Sequence, residues 1–168
     1  FGYNYQTGNN MKTDDRLEFT TRLDRDLSSP AWRLSLLANI RTQFKDGFTN
    51  PNDLNRISTF MAPGYLTYGL GITNKSIKNV GIYFSPIQIK NTFVLDDNLF
   101  LANQFFNRSV PNVTTLSEGG MRTELGAFLD VFYKGALTEN VAISSRLNLF
   151  SNYLDRPENI DVNWELVA

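Results

Sequence analysis

Between Trp32 and Lys45 the chain alternates with a period of two: Trp32, Leu34, Leu36, Ala38, Ile40 and Phe44 fall on one side, and Arg33, Ser35, Asn39, Arg41, Gln43 and Lys45 on the other. Period-two patterning belongs to a strand with two unlike faces. The pattern recurs along the chain in segments of the length that a tilted strand needs to cross a bilayer, about 9–11 residues. A soluble sandwich or lipocalin-like barrel turns its apolar face inward and rarely sets so many arginines opposite it on long strands. The expected fold is therefore all-β, an antiparallel up-and-down transmembrane β-barrel with apolar residues toward lipid and polar residues toward the lumen.

Composition narrows the chemistry. Sixteen basic and seventeen acidic residues leave a net charge of −1, so no sign excess points to nucleic acid. Cysteine and histidine are both absent, which removes disulfides, thiolate and imidazole metal sites and the commonest general base. No apolar run approaches the roughly 20 residues of a membrane helix, and a barrel strand offers only alternate residues to lipid, so a mildly negative mean hydropathy fits a barrel. The chain opens on Phe1-Gly2-Tyr3 without a signal peptide and stops inside an alternating run around Trp164. It is expected to be an internal piece, one barrel domain over 1–168 incomplete at both ends, with about six to eight strands of a barrel of about twelve.

Strands are predicted over residues 15–27, 32–45, 63–73, 80–93, 122–134, 141–154 and 161–168. At Ser85-Pro86 the apolar phase moves from Val80, Ile82 and Phe84 to Ile87, Ile89 and Phe93, which predicts a bulge because proline cannot donate to a regular ladder. Short connections at 26–31, 74–79 and 135–140 alternate with longer ones at 46–62, 96–120 and 155–160, the pattern of periplasmic turns and extracellular loops. Opposite charges favour facing positions in antiparallel pairs. That rule predicts Glu18 opposite Arg41, Asp26 opposite Arg33, and Asp130 opposite Arg146.

Several motifs carry a resemblance. Lys12-Thr13-Asp14-Asp15-Arg16, Arg41-Thr42-Gln43-Phe44, Pro51-Asn52-Asp53, Met61-Ala62-Pro63-Gly64-Tyr65-Leu66, Phe84-Ser85-Pro86, Phe93-Val94-Leu95-Asp96-Asp97 and the stretch from Leu149 to Glu165 follow one another along the chain. Together they resemble the domain-of-unknown-function family 3078 of Gram-negative envelope proteins. The resemblance implies an outer-membrane barrel and no biochemical activity. It also implies further strands at both ends and a shorter, Gly-rich connection where this chain carries Phe100, Phe105, Phe106 and Pro111.

The candidate site is the set of inward charges: Glu18, Arg22, Asp26, Arg33, Arg41, Arg122, Glu124, Asp130 and Arg146, with Arg16 and Asp24 beside them. Mixed signs in a narrow lumen favour mutual pairing over a selective pore, which usually shows one sign. Phe100, Phe105 and Phe106 are candidates for a loop that caps the barrel or docks a partner. Asp14, Asp15, Asp53, Asp96, Asp97, Asp155, Glu158 and Asp161 gather at the presumed outer rim, but they lack EF-hand spacing and Asp is an ordinary turn former. No metal, cofactor or catalytic residue is assigned, since Ser144 and Ser145 have no evident base. The expected role is structural or accessory in the bacterial outer membrane, with lipid, lipopolysaccharide and other outer-membrane proteins as partners and no nucleic acid; a narrow channel or transporter is the alternative.

Overall fold

The computed structural model describes residues 16–29, 31–48, 56–101, 106, 110–136, 138 and 141–167. Its long strands are β1 (Leu17–Asp26), β2 (Trp32–Thr42), β5 (Gly64–Asn74), β6 (Val80–Val94), β8 (Gly120–Ala136), β9 (Ala142–Asn152) and β10 (Ile160–Val167). The connections add β3 (Gly47–Phe48), β4 (Arg56–Ser58), β7 (Val113–Thr115) and one short helix, α1 (Asp97–Leu101). The long strands form one antiparallel sheet in the order β1-β2-β5-β6-β8-β9-β10, with β7 paired to β8 and β3 paired to β4 in a separate ribbon. Each long strand neighbours the next long strand in sequence, so the expected up-and-down path is present. Among the described residues the sheet does not close on itself, and β1 and β10 are its two ends.

All seven predicted strands form, with ends displaced by a few residues. Strand β2 stops at Thr42 because Thr42 Oγ1 accepts the amide of Met61 at 2.8 Å and Gln43 Oε1 accepts the Ser58 hydroxyl at 2.6 Å, turning this end toward a loop. The stretches 46–62 and 96–120, expected as loops, carry the β3–β4 ribbon and α1. Asp96 starts α1 by accepting the Leu99 amide at 3.1 Å, the N-cap arrangement. The phase change in β6 is also present: Tyr83 and Ser85 are buried, Pro86 and Ile87 are both exposed, and Gln88 is buried again. The single Ser85 hydroxyl hydrogen is shared between the carbonyls of Leu70 and Ile87, each 2.9 Å from Oγ, so the hydroxyl occupies the irregularity.

The described residues pack as two compact units. The first takes those within Phe1–Thr20, Asn39–Thr67 and Lys90–Thr123, and the second those within Thr21–Ala38, Tyr68–Ile89 and Glu124–Ala168. The first unit holds a small apolar core of Ala62, Val94, Leu99 and Phe106, with Phe100 and Val113 packed against it. In the second, burial is inverted relative to a water-soluble sheet. Ser35, Thr73, Ser85, Gln88 and Asp130 are buried, while Leu23, Trp32, Leu34, Leu36, Leu70, Ile72, Val162, Trp164 and Leu166 are exposed.

Glycines make room for the buried face. A Cβ on Gly81 would meet the Phe132 ring, one on Gly126 would meet the Phe150 ring and the Ser151 carbonyl, and one on Gly69 would meet the Gln88 carboxamide. Large side chains from one strand thus lie over the bare backbone of its neighbour.

Candidate functional site

The polar face is built by alternation. In β9, Arg146, Asn148, Phe150 and Asn152 share one face while Ile143, Leu147 and Leu149 share the other. In β8, Gly126, Phe128, Asp130 and Phe132 fall opposite the first set, because the ladder aligns Phe128 with Phe150, Asp130 with Asn148 and Phe132 with Arg146. That register corrects the expectation of Asp130 directly opposite Arg146: the arginine sits two positions away. It still reaches Asp130 on the diagonal with two parallel bonds, Nε to Oδ1 at 2.9 Å and Nη2 to Oδ2 at 3.0 Å. Diagonal neighbours on one face are within reach of a long side chain, so electrostatics chose the pair without choosing the register. On the far side of β9, Arg146 is aligned with Glu165 of β10.

The β1–β2 hairpin behaves as predicted at its turn. The Leu27 amide donates to the Trp32 carbonyl, and Asp26 pairs with Arg33 at 2.8 Å, although Arg33 Nε–H is not directed at the carboxylate and the contact is one of charge. Asn39 bridges Thr20 and Glu18 at 2.7 Å each, and the same count places Glu18 opposite Arg41. The ion partner of Glu18 is nevertheless Arg16. Arg41 lies over the Tyr65 ring, 4.5 Å from its centre, a cation–π contact.

Arg22 grips Asp24 through two bonds of 2.7 and 3.0 Å. Asp24 also accepts the Ser35 hydroxyl at 2.6 Å, and Ser35 meets Thr73 at 2.7 Å. A chain of polar contacts therefore crosses from β1 through β2 to β5. Glu124 accepts from Asn152 at 3.3 Å, and Arg122 is half-buried opposite Val113 of β7. Among the described residues the ion pairs Arg16–Glu18, Arg22–Asp24, Asp26–Arg33 and Asp130–Arg146 are each local. Among the described residues no three acidic side chains are grouped so as to hold a metal ion.

Sequence reasoning named the charges and passed over the small hydroxyls and amides. Ser35, Thr73, Ser85, Gln88, Asn91 and Asn152 are buried there, and Tyr83 packs on Phe128 with its hydroxyl donating to the Gly69 carbonyl at 3.1 Å. Their signal was position: each of Ser35, Thr73 and Ser85 falls where the alternation places inward residues. Phe106 is buried in the apolar cluster of the first unit, with Phe100 edge-on to it at 6.2 Å, and Phe105 lies outside the described residues. Arg56 ties the same region together by pairing with Asp96, with Asp46 at 3.6 Å, while Asp97 accepts the Gly119 amide.

Comparison with known families adds one finding. Residues 1–48 match the model of a family described as a protein of unknown function (DUF3078). The match is to the family that the motifs resemble, and it covers β1, β2 and β3; the later motifs, from Pro51 onward, lie beyond it. No curated protein and no solved structure matches the chain.

Proposed function

We propose that this chain is a stretch of wall from a bacterial outer-membrane β-barrel whose role is structural or accessory, and whose polar face is filled by its own side chains. The observation that carries the proposal is the inverted burial: Ser35, Gln88 and Asp130 are shielded while Leu34, Leu70 and Trp164 are bare. In water that arrangement exposes apolar surface at roughly 25 cal/mol per Å²; in a bilayer the same surface is solvated by acyl chains. The exposed apolar face would contact lipid and neighbouring outer-membrane proteins, and the outward connections would meet lipopolysaccharide.

Closure of the polar face rests on packing. Tyr83 and Phe150 are buried over Gly71 and Gly126, Phe128 packs on Tyr83, the more exposed Phe132 covers Gly81, and Asp130 and Asp24 are paired with Arg146 and Arg22. A passing ion would have to displace such pairs, at a cost below the roughly 3–5 kcal/mol of a fully enclosed pair because Arg146 and Arg22 keep part of their hydration. The second reading, a narrow channel, is favoured by one observation: the Arg146 side chain is 54% exposed, so the polar face is open to solvent at β9. Planar-bilayer recordings on the full-length protein separate the two. The accessory reading expects no steady conductance; an ion-selective conductance removed by R146M would establish the channel.

A further inference from the structure

We infer that Arg25 binds the phosphate of an anionic phospholipid in the leaflet at the short-turn end of the sheet; the inference rests on the membrane reading above.

Arg25 breaks the alternation that otherwise separates charge from apolar surface. In β1 the bonds of Glu18 with Asn39 and of Asp24 with the buried Ser35 fix the polar face, and a period of two then sets Leu23 and Arg25 on the other. The Trp32 carbonyl accepts the Leu27 amide at 3.0 Å. Counting back from that pair puts Arg25 opposite Leu34 and diagonal to Trp32. Leu23, Leu27, Trp32 and Leu34 are all exposed, and so is Arg25. Among the described residues it is the one charged side chain that alternation places on the apolar face of the second unit's long strands.

Nothing in the described protein meets this charge. Asp24 and Asp26, its neighbours in sequence, lie on the polar face and are taken up by Arg22 and Arg33. Among the described residues the Arg25 guanidinium has no ion pair, hydrogen bond or ring contact. A lipid-facing arginine is costly at the bilayer midplane and cheap near the interface. Arg25 stands two residues before Leu27, about 7 Å along an extended strand, a length that its own side chain covers by reaching toward the headgroups.

The surroundings choose the headgroup. A guanidinium fork matches two oxygens of a phosphate. The adjoining turn adds exposed Lys75 and Lys78 and is held against the β1–β2 turn by the Lys75 amide on the Ala31 carbonyl at 3.0 Å. A zwitterionic lipid would bring its ammonium group to a face that offers no carboxylate, so an anionic lipid is favoured. Trp32 suits the same boundary, since indoles sit where headgroups meet acyl chains. Short turns belong to the periplasmic side of a barrel, which makes the ligand a phospholipid and not lipopolysaccharide.

The test places the full-length protein in phosphatidylcholine vesicles into which brominated phosphatidylglycerol or, separately, brominated phosphatidylcholine is titrated. Trp32 emission is isolated by difference with W32F. Expected is quenching of Trp32 at a several-fold lower mole fraction of the brominated phosphatidylglycerol, with R25Q bringing the two lipids level and R25K keeping part of the preference. Trp164, read by difference with W164F, should respond alike to both lipids and should not change in R25Q, which separates loss of the site from loss of folding. Equal quenching of Trp32 by the two lipids, a preference that survives R25Q, or the same preference at Trp164 overturns the inference and leaves the membrane reading standing. A preference displaced by added lipopolysaccharide but not by unbrominated phosphatidylglycerol overturns it as well. Quenching by neither lipid removes the membrane reading and the inference with it.

Discussion

Removing Arg146 and removing Asp130 are unequal perturbations, because the two partners differ in exposure. The Asp130 side chain is 10% exposed and that of Arg146 is 54% exposed. In R146M the aliphatic stem is kept, but a buried carboxylate loses both charge-assisted donors. Losing a buried ion partner costs about 3–5 kcal/mol when the pair is fully enclosed, and the half-exposed arginine lowers this to about 2–4 kcal/mol. In D130N the shape is kept and the stranded guanidinium is hydrated from its open side, so the loss is about 1 kcal/mol, the size of one ordinary hydrogen bond. The double variant R146M/D130N should be more stable than R146M alone, since no buried charge is left without a partner. Urea unfolding of the full-length protein in lipid vesicles, followed by tryptophan fluorescence, gives all four corners of the cycle. D130N costing as much as R146M would refute the reasoning.

Gly81→Val should destabilise by about 1–3 kcal/mol through overpacking against Phe132, and adding F132A should recover part of the loss in the same unfolding assay. Leu70→Arg, on the exposed face of β5, should cost about 2–4 kcal/mol if that face lies at the bilayer midplane; a change near zero would place Leu70 outside hydrocarbon. Arg56→Ala should speed proteolytic cleavage within 46–62 and 96–120 together, since Asp96 both pairs with Arg56 and caps α1, while leaving the urea midpoint of the strands unchanged.

Much of the sheet was legible because alternation is a backbone property: once Leu34 and Leu36 take one face, Arg33 and Ser35 take the other whatever the neighbours are. Pro86 marked the phase change for a similar reason, as its missing amide acts locally. Register was less legible. Asp26 and Arg33 sit beside a tight turn that fixes their alignment, whereas Asp130 and Arg146 lie farther from theirs, and a long arginine pairs on the diagonal as readily as straight across. The connections were harder still. Burial of Phe106 beside Ala62, Val94 and Leu99 joins residues from separate parts of the chain, and no periodicity announces such a cluster. Charges drew attention on the polar face, yet Ser35, Thr73 and Gln88 are more deeply buried there than any of the arginines, because uncharged groups shed their water at lower cost than a guanidinium does.

Trp32 and Trp164, the two tryptophans of the chain, report most directly on whether the bare apolar face lies in a bilayer. Both are on that face, 48% and 67% exposed. Full-length protein reconstituted into vesicles whose acyl chains carry bromine should show quenched emission from both positions, assigned by difference with W32F and W164F. Iodide in the surrounding water should leave that emission unchanged. Emission quenched by iodide and untouched by brominated chains would contradict the account, for it would put the exposed leucines, valines and tryptophans in water.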